Sequence, residues 1–166
     1  MAADRTALVG VGNEYRHDDD GAAAAVLAEL IGGGIEVDRV ALCDGEPTPL
    51  IELWMGADLA VVFDAVHGHL GEPGRIHQVA VGPGLLDTPP DEAGGAGTHG
   101  LGLGHAVALA SALGRLPAVL LIIAVEGAEF TVGQGLTPAV ADAVPRAALL
   151  AREKLAAHRA SREGGA

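Results

Sequence analysis

The 166-residue chain is poor in cysteine, in positive charge and in aromatic residues. Its one cysteine, Cys43, excludes a disulfide framework and any Cys-x-x-Cys metal site. Its single lysine and its net charge of −12 exclude nucleic acid as a partner, because the phosphates would be repelled. The core must be aliphatic, because the chain has only four aromatic residues: Tyr15, Trp54, Phe63 and Phe130.

Long hydrophobic runs are also missing. The longest apolar stretch, residues 118–125, is far shorter than the roughly 20 residues that span a bilayer. The apolar run at residues 7–11 is too short for the core of a signal peptide. We therefore expect no membrane association and a cytoplasmic location.

Apolar residues and glycine are abundant. Hydrophobic residues make up 49% of the chain, which is far above the fraction found in disordered segments. The length suits one domain and is too short for two ordinary ones. We expect a single domain over residues 1–166, ordered over about 7–157, with a frayed tail at 161–166.

Strand-length apolar runs alternate with helical segments along the chain. This alternation predicts an α/β fold, namely a three-layer α/β/α sandwich around a five-stranded, mostly parallel sheet. The alternating run at 75–81 indicates an edge strand, and the most apolar run, 118–125, indicates a central one. A long exposed loop is predicted at 82–98, and Pro145 is expected to kink or interrupt the last helix. The predicted strands are 7–11, 35–42, 59–65, 75–81 and 118–125, and the predicted helices are 21–31, 47–55, 100–113 and 138–157.

Three polar segments are predicted to converge at the carboxyl ends of the strands, where such sheets bind ligands. They are residues 12–21 after the first strand, Asp64 at the end of the third, and His99 before the third helix. Two carboxylates and one imidazole suit a divalent cation such as Ni²⁺ or Zn²⁺. The aspartates at 18–20 could instead cap a helix, and His99 could be a loop histidine. Asp64 is harder to dismiss, because a charge that ends an apolar strand needs partners.

Other polar residues carry weaker signals. His67 and His69 are interpreted as solvated loop histidines, and Cys43 as a small buried hydrophobe. The segment 10–13 begins like a dinucleotide-binding loop, but the third glycine is missing and the acidic residues that follow would repel a pyrophosphate. We therefore expect no nucleotide cofactor.

Five segments, taken together, resemble the signatures of the [NiFe]-hydrogenase maturation endopeptidases. The likeness spans about residues 7–155, with the segments in the family's order and spacing. One segment ends in the His-x-Leu-Gly-Leu motif of that family and another matches its Gly-Leu-Thr/Ser-Pro motif. The segments are Val9–Asn13 with Asp18-Asp19, Asp44-Gly45, Phe63–Ala65, Thr98–Leu103 and Gly135–Val140.

The resemblance implies a fold, an activity and a set of site residues. The fourth strand would be antiparallel at a sheet edge, and the enzyme would remove a C-terminal peptide from the hydrogenase large-subunit precursor after nickel insertion. Asp19, Asp64 and His99 would contact the metal and carry catalysis. One extra aspartate disturbs the first motif: counting from Asn13 selects Asp19, whereas counting back from the glycine at 21 selects Asp20. We prefer Asp19, because the strand and its turn fix the count on that side.

Under this interpretation, the precursor supplies the nickel and is the protein partner. Metal-assisted attack by water would cleave the peptide bond, with a carboxylate as general base. The alternative is a non-catalytic nickel-binding or scaffold protein in hydrogenase maturation, which would bind the nickel-loaded precursor without changing its mass.

Overall fold

The computed structural model describes residues 4–13, 18–67, 71–82, 103–128, 133 and 135–165. Every predicted strand and helix has a counterpart in it. The strands are β1 (Thr6–Val11), β2 (Arg39–Cys43), β3 (Leu59–His67), β4 (Ile76–Val81) and β5 (Val119–Gly127). The helices are α1 (Ala22–Gly32), α2 (Pro47–Trp54), α3 (Gly104–Ala112) and α4 (Pro138–Glu163), and a short 3₁₀ turn covers Asp19–Gly21.

The five strands form one sheet in the order β2-β1-β3-β5-β4. All neighbouring pairs are parallel except β4 with β5, which is antiparallel and lies at the edge. The predicted fold class and the predicted antiparallel edge strand are confirmed. The chain passes from β1 to β2 on one side and then returns to β3 on the other side of β1. This reversal places a topological switch point between β1 and β3, where α/β sheets bind ligands.

Helices cover both faces of the sheet. Alternate strand residues pack with α1 and α4 on one face, and the intervening residues pack with α2 and α3 on the other. The largest fully buried side chains, Trp54 and Phe63, lie on opposite faces, and the rest of both cores is aliphatic. The low aromatic content is therefore compatible with two complete core layers.

The prediction that the most apolar run forms the central strand is wrong. β3 is the middle strand of the sheet, and β5 lies between it and the edge strand β4. The physical reason is that any interior strand of such a sheet is covered on both faces, so a continuous apolar run does not distinguish the centre from its neighbour.

Three other boundaries differ from the prediction. β2 begins at Arg39 rather than at residue 35, because the amide of Ile35 bonds to the carbonyl of Leu30 and continues the end of α1. α4 runs through Pro145 to Glu163 rather than ending near 157, and buried side chains on both sides of the proline hold it on the sheet. His67 ends β3 instead of lying in a loop. The loop predicted at 82–98 falls almost entirely outside the described residues, as does His69.

Among the described residues, no helix combines the length and the hydrophobicity needed to cross a bilayer.

Gly74 is packed closely against the start of α4. Its φ is +84°, and a Cβ at this position would lie 2.5 Å from the carbonyl oxygen of Ala139. Its own carbonyl accepts a hydrogen bond from Nη2 of Arg146 at 3.0 Å. Gly71 also has a positive φ, of +68°, but no described residue lies within 4 Å of a Cβ built there. Alanine substitutions at the two glycines therefore distinguish the effect of backbone strain from the effect of steric overlap.

We expect Gly71→Ala to lower the free energy of unfolding by about 1 kcal/mol through strain alone. Gly74→Ala should lower it further, because the added methyl group also displaces the start of α4. Urea unfolding of the two variants measures the difference. Equal losses would mean that the contact with α4 contributes nothing.

Candidate functional site

The strands β1 and β3 end at different levels, and the step between their ends is the place of the candidate site. β1 pairs with β3 only as far as Gly10 opposite Phe63, whereas β3 and β5 continue to pair as far as His67 opposite Gly127. Asp64 is thus the first residue of β3 that has a paired strand on one side only. The step lies at the switch point between β1 and β3, where a crevice is expected.

Asp64 is directed towards the layer formed by α2 and α3. Its neighbours Phe63 and Ala65 pack on the opposite face, while Val62 and Val66 pack on the α2–α3 face. The residue is 9% exposed. Burial raises the pKa of the Asp64 carboxyl to about 8; the negative charge of Asp20 adds to the rise, and a backbone hydrogen bond from Ala65 offsets part of it. The Asp64 carboxyl therefore keeps its proton at neutral pH.

A turn between β1 and α1 brings Asp20 to Asp64. Oδ1 of Asp18 accepts a hydrogen bond from the amide of Asp20 at 2.9 Å, and the turn packs against β3. Oδ2 of Asp20 accepts a hydrogen bond from the amide of Asn13 at 2.9 Å. Gly12 allows this fold-back, because any side chain there would overlap the backbone oxygen of Asp20. The half-buried Asp20 is therefore held beside the end of β1.

Asp19 engages a different part of the molecule. It is fully buried, and its Oδ2 accepts a hydrogen bond from the amide of Ala128, just after β5, at 2.9 Å. Its Oδ1 accepts one from the amide of Thr137, just before α4, at 2.8 Å. The hydroxyl of Thr137 lies 2.9 Å from Oδ2 and 3.2 Å from Oδ1. Both oxygens of Asp19 are thus engaged by the exit of β5 and the start of α4.

The structure places the predicted site residues as follows. Asp19 and Asp64 both lie at the carboxyl end of the sheet, and His99 lies outside the described residues. Within the described part of the chain, no three His, Cys, Asp or Glu side chains are grouped so that they could hold a metal ion. The choice between Asp19 and Asp20 as a metal contact stays a prediction. Both oxygens of Asp19 accept hydrogen bonds from the protein, whereas the charge of Asp20 acts on the Asp64 carboxyl.

A buried glutamate that was not among the predicted site residues lies near the same end of the sheet. Glu126 is 1% exposed, and its Oε1 accepts a hydrogen bond from the amide of Glu72 at 2.8 Å. Its Oε2 lies 3.2 Å from Nε2 of His77 on β4. A usable signal existed: like Asp64, Glu126 is an acidic residue near the end of a continuous apolar strand. The pair fastens the segment before β4 to the end of β5.

Cys43 at the end of β2 is half-buried. Burial raises the pKa of the thiol, and the charges of Asp44 and Asp64 raise it further, against a lowering by a backbone hydrogen bond from Gly45. Because the thiolate is the nucleophilic form, this environment argues against a catalytic cysteine.

The raised pKa of Asp64 predicts how stability depends on pH. The folded chain keeps this proton up to about pH 8, whereas an unfolded aspartate releases it near pH 4. The stabilisation is complete below the unfolded pKa and is lost as the pH rises through the folded one. We expect Asp64→Asn to be more stable than the wild type at pH 8, and this advantage should shrink towards pH 4. Urea unfolding of both proteins at several pH values measures this.

Asp38→Asn is the matched control, because its carboxyl is shifted in the opposite direction. A hydrogen bond from the amide of Thr6 lowers the pKa of Asp38. Its contribution is present above the unfolded pKa and is lost only as the pH falls through the folded one. A stability difference between Asp64→Asn and wild type that did not change from pH 5 to pH 8 would contradict the assignment.

Comparison with known proteins identifies the family and the fold of this chain. The family model described as hydrogenase maturation protease matches residues 27–154. No curated protein matches the chain in sequence. The hydrogenase maturating endopeptidase HybD from E. coli is similar in structure, with a TM-score of 0.68 and 24% identity over 95% of this chain and 93% of that one.

Two archaeal structures are similar in the same way. The hydrogenase 2 maturation peptidase from Thaumarchaeota archaeon SCGC_AB-539-E09 has a TM-score of 0.63 and 24% identity, over 91% of this chain and 97% of that one. The [NiFe] hydrogenase maturation protease HybD from Thermococcus kodakarensis has a TM-score of 0.60 and 23% identity, over 90% and 97%. At these identities the three structures establish the fold, and the family match covers more than half of the sequence. The chain therefore belongs to the hydrogenase maturation protease family, and it is a peptidase.

Proposed function

We propose that this peptidase removes the C-terminal extension of the [NiFe]-hydrogenase large-subunit precursor after nickel has been inserted. The observation that carries the proposal is the acidic pair at the switch point, Asp20 beside the buried Asp64. The large subunit is the protein partner, and the nickel arrives as part of the substrate.

The two carboxyls fit a substrate that presents a divalent cation. Two carboxylates close together repel each other, and here burial and that repulsion keep Asp64 protonated. A cation between them would neutralise both charges and release the Asp64 proton. Asp20 and Asp64 thus contribute hard oxygen contacts to the nickel, and His99 is proposed as the third contact. This assignment replaces the sequence preference for Asp19 with the alternative that the first motif left open.

The proposed cleavage is a peptide hydrolysis. The oxygen of a water molecule bonds to the scissile carbonyl carbon, one carboxylate takes the water proton, and that proton passes to the nitrogen that leaves when the C–N bond breaks. The nickel contributes recognition, because it holds the precursor against the acidic pair. We propose that the scissile bond lies over the step between β1 and β3, next to Asp64.

The direct test is mass spectrometry of a nickel-loaded large-subunit precursor after incubation with this protein. We expect the mass to fall by that of the C-terminal extension, and we expect a nickel-free precursor to keep its full mass. A nickel-loaded precursor that is bound but unchanged in mass would contradict the peptidase assignment and favour a scaffold role.

The acidic contact is tested by Asp20→Asn. The amide oxygen of asparagine can still accept the hydrogen bond from Asn13, so the fold should be kept while the charge is lost. We expect the processing rate to fall by roughly 100-fold or more. Asp142→Asn, an exposed change on α4, removes the same charge far along the chain and should process normally. Normal processing by Asp20→Asn would return the assignment to Asp19.

The proposed histidine contact is tested in the same assay. His99→Ala should abolish processing while the melting temperature stays close to that of the wild type. His105→Ala is the matched control, because His105 is an exposed residue on α3 only six positions away. If His99→Ala processes the precursor at the wild-type rate, His99 is not a residue of the site.

A further inference from the structure

The hydroxyl of Thr137 is used in an unusual way. Thr137 is the N-cap residue of α4, and such a threonine ordinarily accepts a hydrogen bond from the first turn of its helix. Here the side chain makes no capping bond to that turn, all of which lies within the described residues 138–141. The hydroxyl donates instead to the carboxylate of Asp19, 2.9 Å from its Oδ2. The side chain therefore serves the turn before α1 rather than its own helix.

The burial of the Asp19 carboxylate is unfavourable unless hydrogen bonds compensate for the loss of its hydration. Asp19 has no exposed surface, and the hydrogen bonds given above come from two backbone amides and one hydroxyl, none of them charged. A buried carboxylate is tolerated only when its oxygens are satisfied in this way. The bonds join three separate segments: the 3₁₀ turn, the exit of β5 and the start of α4. This arrangement fixes the position of the turn relative to the sheet.

The residue that this anchor positions is Asp20, which follows Asp19 directly. The amide of Asn13 fixes the Asp20 carboxylate from the side of β1. The Asp19 anchor fixes the backbone of the same turn from the side of β5 and α4. Removing the second attachment would leave Asp20 free to turn away from Asp64.

We propose that Asp19 and Thr137 are a positioning pair, which holds Asp20 in the orientation that the cleavage reaction requires. Neither residue touches the substrate; they act through Asp20. The inference rests on the proposed function, and it assigns the threonine of the Gly-Leu-Thr-Pro segment a task other than capping.

The test compares Thr137→Val with Thr137→Ser. Valine keeps the volume and the backbone amide but removes the hydroxyl, and no capping bond is lost with it. We expect kcat on the nickel-loaded precursor to fall roughly 10-fold or more with KM unchanged, because a misplaced group slows the reaction without weakening binding. Serine keeps the hydroxyl and should restore kcat. Thr137→Ala removes the same hydroxyl without β-branching and serves as a second variant if valine does not fold.

A second readout does not depend on activity. The amide of Asn13 donates to Asp20, so its NMR resonance reports the position of that carboxylate. We expect the resonance to move in Thr137→Val and to return in Thr137→Ser, with all spectra recorded well below the melting temperature. A Thr137→Val protein with a lower melting temperature but wild-type kcat and a wild-type Asn13 resonance would overturn the proposal.

The two proposals fail in different ways. If the wild-type protein leaves the nickel-loaded precursor intact, the proposed function is wrong, and the positioning of a reaction residue falls with it, whatever the Asn13 resonance does. If the wild type cleaves and Thr137→Val cleaves equally well, only the positioning pair is wrong.

Discussion

The cost of burying carboxylates governs the carboxyl end of this sheet. A charged carboxylate in a protein interior is unfavourable unless it is hydrogen-bonded or paired, and otherwise the group is kept neutral by a proton. Among the described residues, the chain uses a different solution at each place. Asp19 accepts hydrogen bonds from neutral donors, and Glu126 accepts one from a backbone amide and contacts His77. Asp64 instead keeps its proton. On the proposed function, this protonated carboxyl is the one that a cation would contact.

The fold determines that Asp64 is the carboxyl in this position. Asp64 lies at the step where β1 has ended and β3 continues, and the turn that carries Asp20 packs against this strand. The turn can approach because Gly12 has no side chain in its path. A shorter step or a side chain at this glycine would separate the two carboxyls and lower the pKa of Asp64 towards its ordinary value.

Sequence reasoning could predict the parts of this site that depend on local pattern. The alternation of strands and helices gave the layers, and the charge at the end of an apolar strand singled out Asp64. It could not separate Asp19 from Asp20, because successive residues of a 3₁₀ turn are about 120° apart and face different surroundings. The roles of Glu126 and Thr137 depend on partners 49 and 118 residues away in the chain, at His77 and Asp19. A local sequence pattern cannot predict contacts between residues so far apart in the chain.

On the proposed function, the same electrostatics explain why processing would follow nickel insertion. Without a cation, burial and the neighbouring Asp20 keep the Asp64 carboxyl neutral. A nickel-free precursor then offers nothing that compensates for ionising Asp64. A nickel-loaded precursor would replace the Asp64 proton by a divalent charge, which would attract both carboxylates. On the proposed function, a difference in binding between the two precursor states would follow from the burial of Asp64.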